Sequence, residues 1–239
     1  MDALSAKDAT REILRFARAG QSAQVVTLGT EMVVRAQRDA AFRNIVNTSQ
    51  LSVCDTVGLL AVAKLRGLHV QERVTGIDLI ENVCAASNGE IPMFFLGGGD
   101  GIAEKARVTL RQRYPGGRIV GTHSGFFKES DTTQVCAGIA ATNAEILFVG
   151  LGSPRQELWL REHLAATGCS VGIGVGGSFD VISGNLKRAP AMWQRLGVEW
   201  LYRLLAEPRR WRRQLALPYF VFLVAADAFA SLTRHKRSA

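Results

Sequence analysis

Residues 146–159 read ILFVGLGSPRQELW, an apolar run followed by a glycine-containing turn and the start of an amphipathic segment. This order predicts a buried strand, a tight turn and a helix, with Ser153 at the N-cap and Pro154 in the first helical position. In an open α/β sheet, ligands bind where the carboxyl end of a strand meets a helix N-terminus, and the helix dipole favours an anion there. Gln156 and Glu157 stand where they can contact such a ligand, although an ordinary capped turn has the same pattern.

The same unit recurs along the chain. Further apolar runs that precede or follow helical patterns cover residues 24–28, 51–54, 91–96, 118–121 and 170–175. Strands that alternate with helices of about ten or more residues predict βαβ units and a parallel sheet. We therefore expect an α/β, Rossmann-like parallel sheet flanked by helices, with one helix over residues 32–43.

The composition of the chain changes near residue 190. Residues 184–213 carry eight Lys and Arg against two Glu, with tryptophan and tyrosine interleaved, and residues 215–232 are almost wholly apolar. We predict a catalytic domain over residues 1–190 and a basic, membrane-associating appendage over residues 191–239. The apolar run has the ~18 residues at which a membrane span becomes possible. Pro218 and Asp227 favour instead a helix lying in the membrane interface.

The composition limits the classes of binding partner that are possible, but it does not select one of them. The 239 residues carry a formal net charge of +8, which fits nucleic acid, an anionic membrane surface or a phosphorylated substrate. Four widely separated cysteines form no CxxC pair, so neither a zinc site nor a disulfide framework is indicated. We expect reduced, mostly buried thiols.

Polar residues near the ends of predicted strands are candidates for catalytic or ligand-binding roles. Asp55 follows the strand over residues 51–54, where a carboxylate can act as a general base or, alternatively, cap the next helix. Thr27 lies at the end of the first strand, where its hydroxyl can contact substrate or simply fill the strand. Arg73 can pair with a phosphate or remain a solvated surface charge.

Two glycine-rich segments compete for the role of a phosphate-binding turn. Gly97 and Gly98 open the sequence GGGDG between a strand and a helix, but match neither the P-loop nor GxGxxG. Residues 172–177 match GxGxxG without a clear helical pattern after them, so the dinucleotide fingerprint lacks its context. A nucleotide-sugar dehydrogenase or epimerase that uses this second loop is one alternative function.

The arginines near the C-terminus suggest a second anion-binding feature. On one ideal helix Arg203, Arg210 and Arg213 fall within roughly 80° of one another, although Pro208 interrupts that helix. Arginine forks suit bidentate phosphate contacts, and a basic stripe flanking a membrane contact has the same pattern. A non-catalytic membrane- or nucleic-acid-binding module is therefore a further alternative. The chain contains neither a DxD pair nor an HExxH motif.

Seven collinear segments resemble the WecG/TagA/CpsF family of bacterial glycosyltransferases, and together they span most of residues 25–214. They are VTLGTEMVVRA (26–36), CDTVGLLAVAKLRG (54–67), ERVTGIDL (72–79), FFLGGGDGIAEKA (94–106), ILFVGLGSPRQELWL (146–160), FDVISGNLKRAP (179–190) and VEWLYRLLAEPRRWRRQ (198–214). No single segment decides the match, whereas their common order does.

The resemblance implies an inverting transferase that needs no metal or other cofactor. Such an enzyme moves a sugar from a UDP donor, often N-acetylmannosamine or its uronic acid, to a saccharide on undecaprenyl diphosphate. It implies peripheral attachment to the cytoplasmic face of the inner membrane and no nucleic-acid partner. The oligomeric state stays open.

The resemblance also implies roles for individual residues. Asp55 matches the proposed base, and the pocket residues are Thr27, Arg73 and Gln156. The remaining matches are the appendage arginines Arg203, Arg210 and Arg213, which would close over the site and touch the membrane. With Gly97, Gly98, Gly152 and Glu157 as further donor-binding candidates, these residues form the expected site.

Two departures from the family pattern concern the donor sugar. Thr56 stands where many relatives carry glycine, and Gly29 stands where many carry an asparagine. The missing amide at Gly29 favours a donor other than N-acetylmannosamine, such as glucose or a uronic acid.

Overall fold

A computed structural model describes residues 1–190, 192–193, 199–206 and 215–237 of the chain. Its centre is a six-stranded sheet in which all neighbouring strands are parallel, in the order β2-β1-β6-β5-β3-β4. The strands are β1 (Ala23–Leu28), β2 (Leu51–Cys54), β3 (Met93–Gly97), β4 (Ile119–His123), β5 (Ile146–Gly150) and β6 (Val171–Gly174). The predicted α/β parallel sheet is thus confirmed.

Helices cover both faces of this sheet. They are α1 (Ala6–Arg18), α2 (Thr30–Arg38), α3 (Ala40–Thr48), α4 (Val57–Leu65), α5 (Gly76–Ala86), α6 (Ile102–Arg113), α7 (Thr132–Ala140), α8 (Arg155–His163), α9 (Ser178–Ile182), α10 (Glu199–Ala206) and α11 (Ala216–Arg237). One core lies between the sheet and α1, α5, α6 and α9. On the other face, α7 and α8 cover one half of the sheet, and α2, α3 and α4 cover the other half.

The continuous apolar strands follow from this double covering. Alternate residues of a strand point to opposite faces, so a strand buried on both faces has no polar side. Phe148 of β5 packs edge-on against Phe95 at 5.7 Å between ring centroids, and Phe95 stacks on Phe179 of α9 at 4.9 Å. Leu147 and Val149 belong to the core on the opposite face.

Two local predictions of helix boundaries were wrong. The helix expected over residues 32–43 is two helices, because Asp39 ends α2 and its carboxylate accepts the Phe42 N–H at 2.9 Å as the N-cap of α3. Helix α8 begins at Arg155 with Pro154 at the N-cap. Ser153 therefore lies one residue before the N-cap, and no side chain caps this helix.

The end of the described chain packs on the α2–α4 side of the molecule. Phe220 of α11 is buried in that core, and the Arg38 guanidinium lies over the Tyr219 ring at 4.7 Å. Asp227, the charge within the apolar run, pairs with Arg66 at the end of α4. Across the described residues, no helix is both long enough and apolar enough to cross a bilayer. The boundary near residue 190 stays a prediction.

The four cysteines lie within the described residues and are buried free thiols, as expected. Burial raises the pKa of the Cys54 thiol to about 11 and that of Cys84 to about 12. The low thiolate fraction that follows makes these side chains packing groups.

Candidate active site

A cavity of about 470 Å³ lies at the carboxyl edge of the sheet. It is bordered by the ends of β1, β2 and β6 and by the turn after β5. Five of the residues predicted from sequence line it, namely Thr27, Asp55, Arg73, Gly152 and Gln156. Because these residues lie up to 129 positions apart in the chain, the fold is what brings them together.

Asp55 sits where β2 ends, and its backbone N–H donates to the Leu28 carbonyl of the neighbouring strand at 3.0 Å. The N-cap of α4 is Thr56, so the alternative that Asp55 caps this helix is wrong. Asp55 is half-buried in the cavity wall. A carboxylate in this place can accept a proton from a bound hydroxyl group.

Among the described helices, α2, α4, α5 and α9 each have their N-cap residue in the lining of this cavity. The N-cap residues Gly29 of α2 and Thr56 of α4 line it, and neither helix has a side-chain cap hydrogen bond. Helix N-termini carry a partial positive charge and backbone N–H groups that lack intrahelical partners. The two helix starts therefore favour an anion in the cavity.

Thr27 connects the cavity wall to the sheet. Its hydroxyl donates to the Gly174 carbonyl of β6 at 2.8 Å, and the residue is 6% exposed. Since a hydroxyl has a single proton, the Thr27 oxygen is left to act toward a ligand as an acceptor.

Arg73 enters the cavity paired with an acidic residue from a distant part of the chain. Its Nη1 donates to Glu199 Oε2 of α10 at 2.8 Å, and both side chains are mostly buried. Glu199, Trp200 and Leu217 line the cavity, so α10 and the start of α11 form part of its wall. Sequence reasoning missed these three residues, because only tertiary packing brings them to the site.

Gln156 is held between two partners at the back of the cavity. Its Oε1 accepts the Gly176 N–H at 2.9 Å, and its Nε2 donates to Glu157 Oε1 at 2.7 Å. Glu157 is 1% exposed and lies behind Gln156, outside the cavity lining. Gln24 donates to the Glu157 carbonyl at 2.9 Å, which fixes the same turn of α8 from β1.

Burial raises the pKa of Glu157 above its ordinary value of 4.5, and hydrogen bonding from Gln156 only partly opposes this shift. The native state thus binds this proton more tightly than the unfolded chain. The free energy of unfolding therefore falls as pH rises from about 4.5 through the raised pKa.

For Glu157→Gln, we expect stability relative to the wild type to increase steadily as pH rises through this range. The amide oxygen keeps an acceptor for Gln156, and each unit of pKa difference removed is worth about 1.4 kcal/mol. Urea unfolding between pH 4.5 and 8 measures the effect. The control is Glu129→Gln, at an exposed position that forms none of the ion pairs found among the described residues. Parallel stability curves for Glu157→Gln and the wild type would contradict the burial argument.

Gly97 and Gly98 lie beside the cavity rather than in its lining. A Cβ on Gly97, whose φ is 142°, would lie 2.5 Å from the Gly150 carbonyl oxygen. The Gly98 N–H donates to the same oxygen at 3.1 Å. The first glycine therefore allows β3 and β5 to approach closely where both strands end.

The GxGxxG match over residues 172–177 does not form a dinucleotide-binding turn. Gly172 and Gly174 lie inside β6, and a Cβ on either would collide with Leu160 at 2.4 Å or Gln156 at 2.6 Å. The helix after the motif, α9, has only five residues. The first two glycines thus serve packing of α8 on the sheet, whereas the fingerprint needs a turn at that point.

The predicted appendage arginines are only partly covered by the structure. Arg203 belongs to α10, but its side chain is outside what the structure describes, and Arg210 and Arg213 lie outside the described residues.

Arg188 is another residue of the cavity lining, and the sequence analysis gave it no role. Its signal was the RAP sequence at the end of residues 179–190, the sixth of the seven segments that resemble the family.

Comparisons with known proteins identify the family of the chain. Residues 1–234 match the model of the glycosyl transferase WecG/TagA/CpsF family. A protein of Bacillus spizizenii strain W23 is 33% identical over 216 residues, covering 90% of this chain and 83% of that protein. One of Bacillus subtilis strain 168 is 33% identical over 206 residues, covering 86% and 80%. Both are named N-acetylglucosaminyldiphosphoundecaprenol N-acetyl-beta-D-mannosaminyltransferase. The chain belongs to the WecG/TagA/CpsF family and is a glycosyltransferase.

Proposed function

We propose that the protein moves a hexose from a UDP-sugar to a saccharide carried on a polyprenyl diphosphate, during synthesis of a surface polysaccharide. The observation that carries the proposal is the meeting of Asp55, Thr27, Arg73 and Gln156 in one cavity at the carboxyl edge of the sheet. The names of the two Bacillus relatives support a lipid-diphosphate acceptor, because both include a diphosphoundecaprenol-linked sugar.

In the proposed reaction Asp55 is the general base. An acceptor hydroxyl attacks the anomeric carbon of the donor from the face opposite UDP, while the Asp55 carboxylate takes the hydroxyl proton. The new glycosidic bond forms as the bond to the UDP oxygen breaks, which inverts the anomeric centre. Thr27 accepts a hydrogen bond from a substrate hydroxyl in this arrangement.

UDP, the leaving group, gains negative charge as the bond to the sugar breaks. We assign the stabilisation of this charge to groups of the protein. Arg73 and the N-termini of α2 and α4 face the cavity and are fixed in place, so they offset the developing charge without reorganisation. Gly152 and Gln156 hold the nucleotide, and Gly97 and Gly98 extend this surface along the sheet edge. Arg203, Arg210 and Arg213 are proposed to contact the lipid diphosphate at the cytoplasmic face of the inner membrane.

The identity of the hexose is part of the proposal. Candidate donors carry N-acetylmannosamine, its uronic acid or glucose. A Cβ on Gly29 would meet Thr56 Cγ2 at 3.6 Å, an ordinary contact distance, so the cavity has room at this position where no side-chain amide is present. This room supports testing donors with and without an N-acetyl group.

The experiment is UDP release from a panel of UDP-sugars, with a short-chain polyprenyl-diphosphate-GlcNAc acceptor and EDTA present. We expect release that requires both donor and acceptor and changes by less than about two-fold when EDTA is added, since fixed protein groups supply the charge. Loss of activity in EDTA that Mg²⁺ or Mn²⁺ restores would contradict metal independence. Reduction of NAD⁺ by a UDP-sugar without any acceptor would favour the dehydrogenase alternative.

A further inference from the structure

A second arginine reaches the wall of the cavity. Arg188 lies in the segment after α9, where the Leu186 N–H donates to the Asp180 carbonyl at 2.9 Å and Ala189 is buried. The backbone on both sides of Arg188 is therefore fixed to the domain. Such a fixed attachment gives its guanidinium a defined position at the cavity.

The start of α5 brings this arginine close to Arg73 in the fold. Arg73 lies two residues before Thr75, which is the N-cap of α5. Arg188 Nη2 donates to Asp78 Oδ1 in the first turn of the same helix at 2.8 Å. Asp78 is held in turn by a capping box with Thr75, so the carboxylate that orients Arg188 has little freedom. Thr75 and both arginines line the cavity, whereas Asp78 holds Arg188 from outside the lining.

The hydrogen-bonding capacity of Arg188 is only partly used within the protein. A guanidinium carries five N–H donors. Nη2 contacts Asp78, and Nε is buried without a partner among the residues that the structure describes. Buried donors in native proteins are usually satisfied, so this guanidinium is less completely bonded than an arginine that serves only to fasten two segments. Its place at a cavity wall indicates an anionic ligand.

Charge balance in the cavity points the same way. Of the two arginines in the lining, Arg73 is already paired with Glu199, and Glu31 and Asp55 add further negative charge. A diphosphate brings about two more negative charges. Arg188 is the other cation that the described part of the lining supplies, and although one of its nitrogens is paired with Asp78, its remaining N–H groups are available to a diphosphate.

We infer that Arg188 is a second residue that binds the diphosphate of the donor, acting together with Arg73. This inference rests on the proposed function, because it takes the anion to be UDP. Asp78 is then a positioning residue, which sets one edge of the guanidinium while the other edge faces the nucleotide. Arginine suits this task because its planar fork can bond a carboxylate and a phosphate at once.

Calorimetric binding of UDP and of uridine to the full chain tests the inference. We expect Arg188→Gln to weaken UDP binding about ten-fold or more and to leave uridine binding unchanged within about two-fold, because only UDP carries the phosphates. Arg188→Lys, which keeps the charge but loses the fork, is expected to fall in between. Arg113→Gln is the matched control, because Arg113 forms a 2.9 Å ion pair with Glu81 away from the cavity.

A purely structural arginine would give a different pattern. Equal losses of UDP and uridine binding in Arg188→Gln would overturn the inference. So would unchanged UDP binding in Arg188→Gln. If the wild type itself fails to bind UDP, the proposed function fails first, and that result is separate from a failure of Arg188 alone.

Discussion

Asp55→Asn is expected to lower kcat for sugar transfer by about 10²–10⁴-fold, the usual contribution of a general base. UDP should bind the variant within about two-fold of the wild type, because Asp55 acts on the acceptor hydroxyl and not on the diphosphate. The amide matches the carboxylate in shape, so the packing at the end of β2 is preserved. Steady-state kinetics and calorimetry on the same preparation separate the two effects.

The control for this substitution is Asp8→Asn in α1, where the carboxylate interacts with Ser5 and Arg11 on the surface. It should leave kcat unchanged. Equal losses of turnover and UDP affinity in Asp55→Asn would contradict the assignment of the base, and would indicate that Asp55 holds the nucleotide instead.

Gly97→Ala is expected to destabilise the protein by more than about 3 kcal/mol. The new Cβ would lie 2.5 Å from the Gly150 carbonyl oxygen, and the φ of 142° is one that residues with side chains rarely adopt. The nearest atoms belong to the backbone of β5 and cannot move aside without separating the two strands. Urea unfolding measures the change in the free energy of unfolding.

The chain offers a matched control for the added methyl group. Gly138 lies in α7, and a Cβ there would meet nothing within 4 Å. Gly138→Ala should stabilise the protein by roughly 0.5–1 kcal/mol, because alanine is the better helix former. A loss below about 1 kcal/mol in Gly97→Ala would show that β3 and β5 tolerate a wider spacing, and would contradict the packing role assigned to Gly97.

The sheet could be predicted from sequence because each strand is buried on both faces and reads as an unbroken apolar run. The same logic placed Asp55 and Thr27 at the carboxyl edge, since parallel strands all end there. The features that sequence reasoning missed depend on individual polar contacts. The carboxylate of Asp39 caps a new helix in the middle of a continuous helical pattern, and no periodicity reveals that choice.

The remaining residues of the site could not be predicted from sequence, because their positions also depend on tertiary contacts. Glu157 belongs to the same short motif as Gln156, yet one helix position separates a residue in the lining from one buried behind it. Glu199 reaches Arg73 across 126 positions of the chain, a contact that only the packing of α10 creates. Such long-range pairs decide the charge of the cavity, and a single sequence carries no local signal for them.

A crystal structure with UDP bound tests most directly the claim that this cavity is the donor site. We predict that the phosphates lie within hydrogen-bond distance of Arg73 or Arg188, with the Asp55 carboxylate beyond the terminal phosphate, where the anomeric carbon of a UDP-sugar would stand. UDP bound away from this cavity, or a diphosphate that lies on the far side of the sheet from Asp55, would contradict the account.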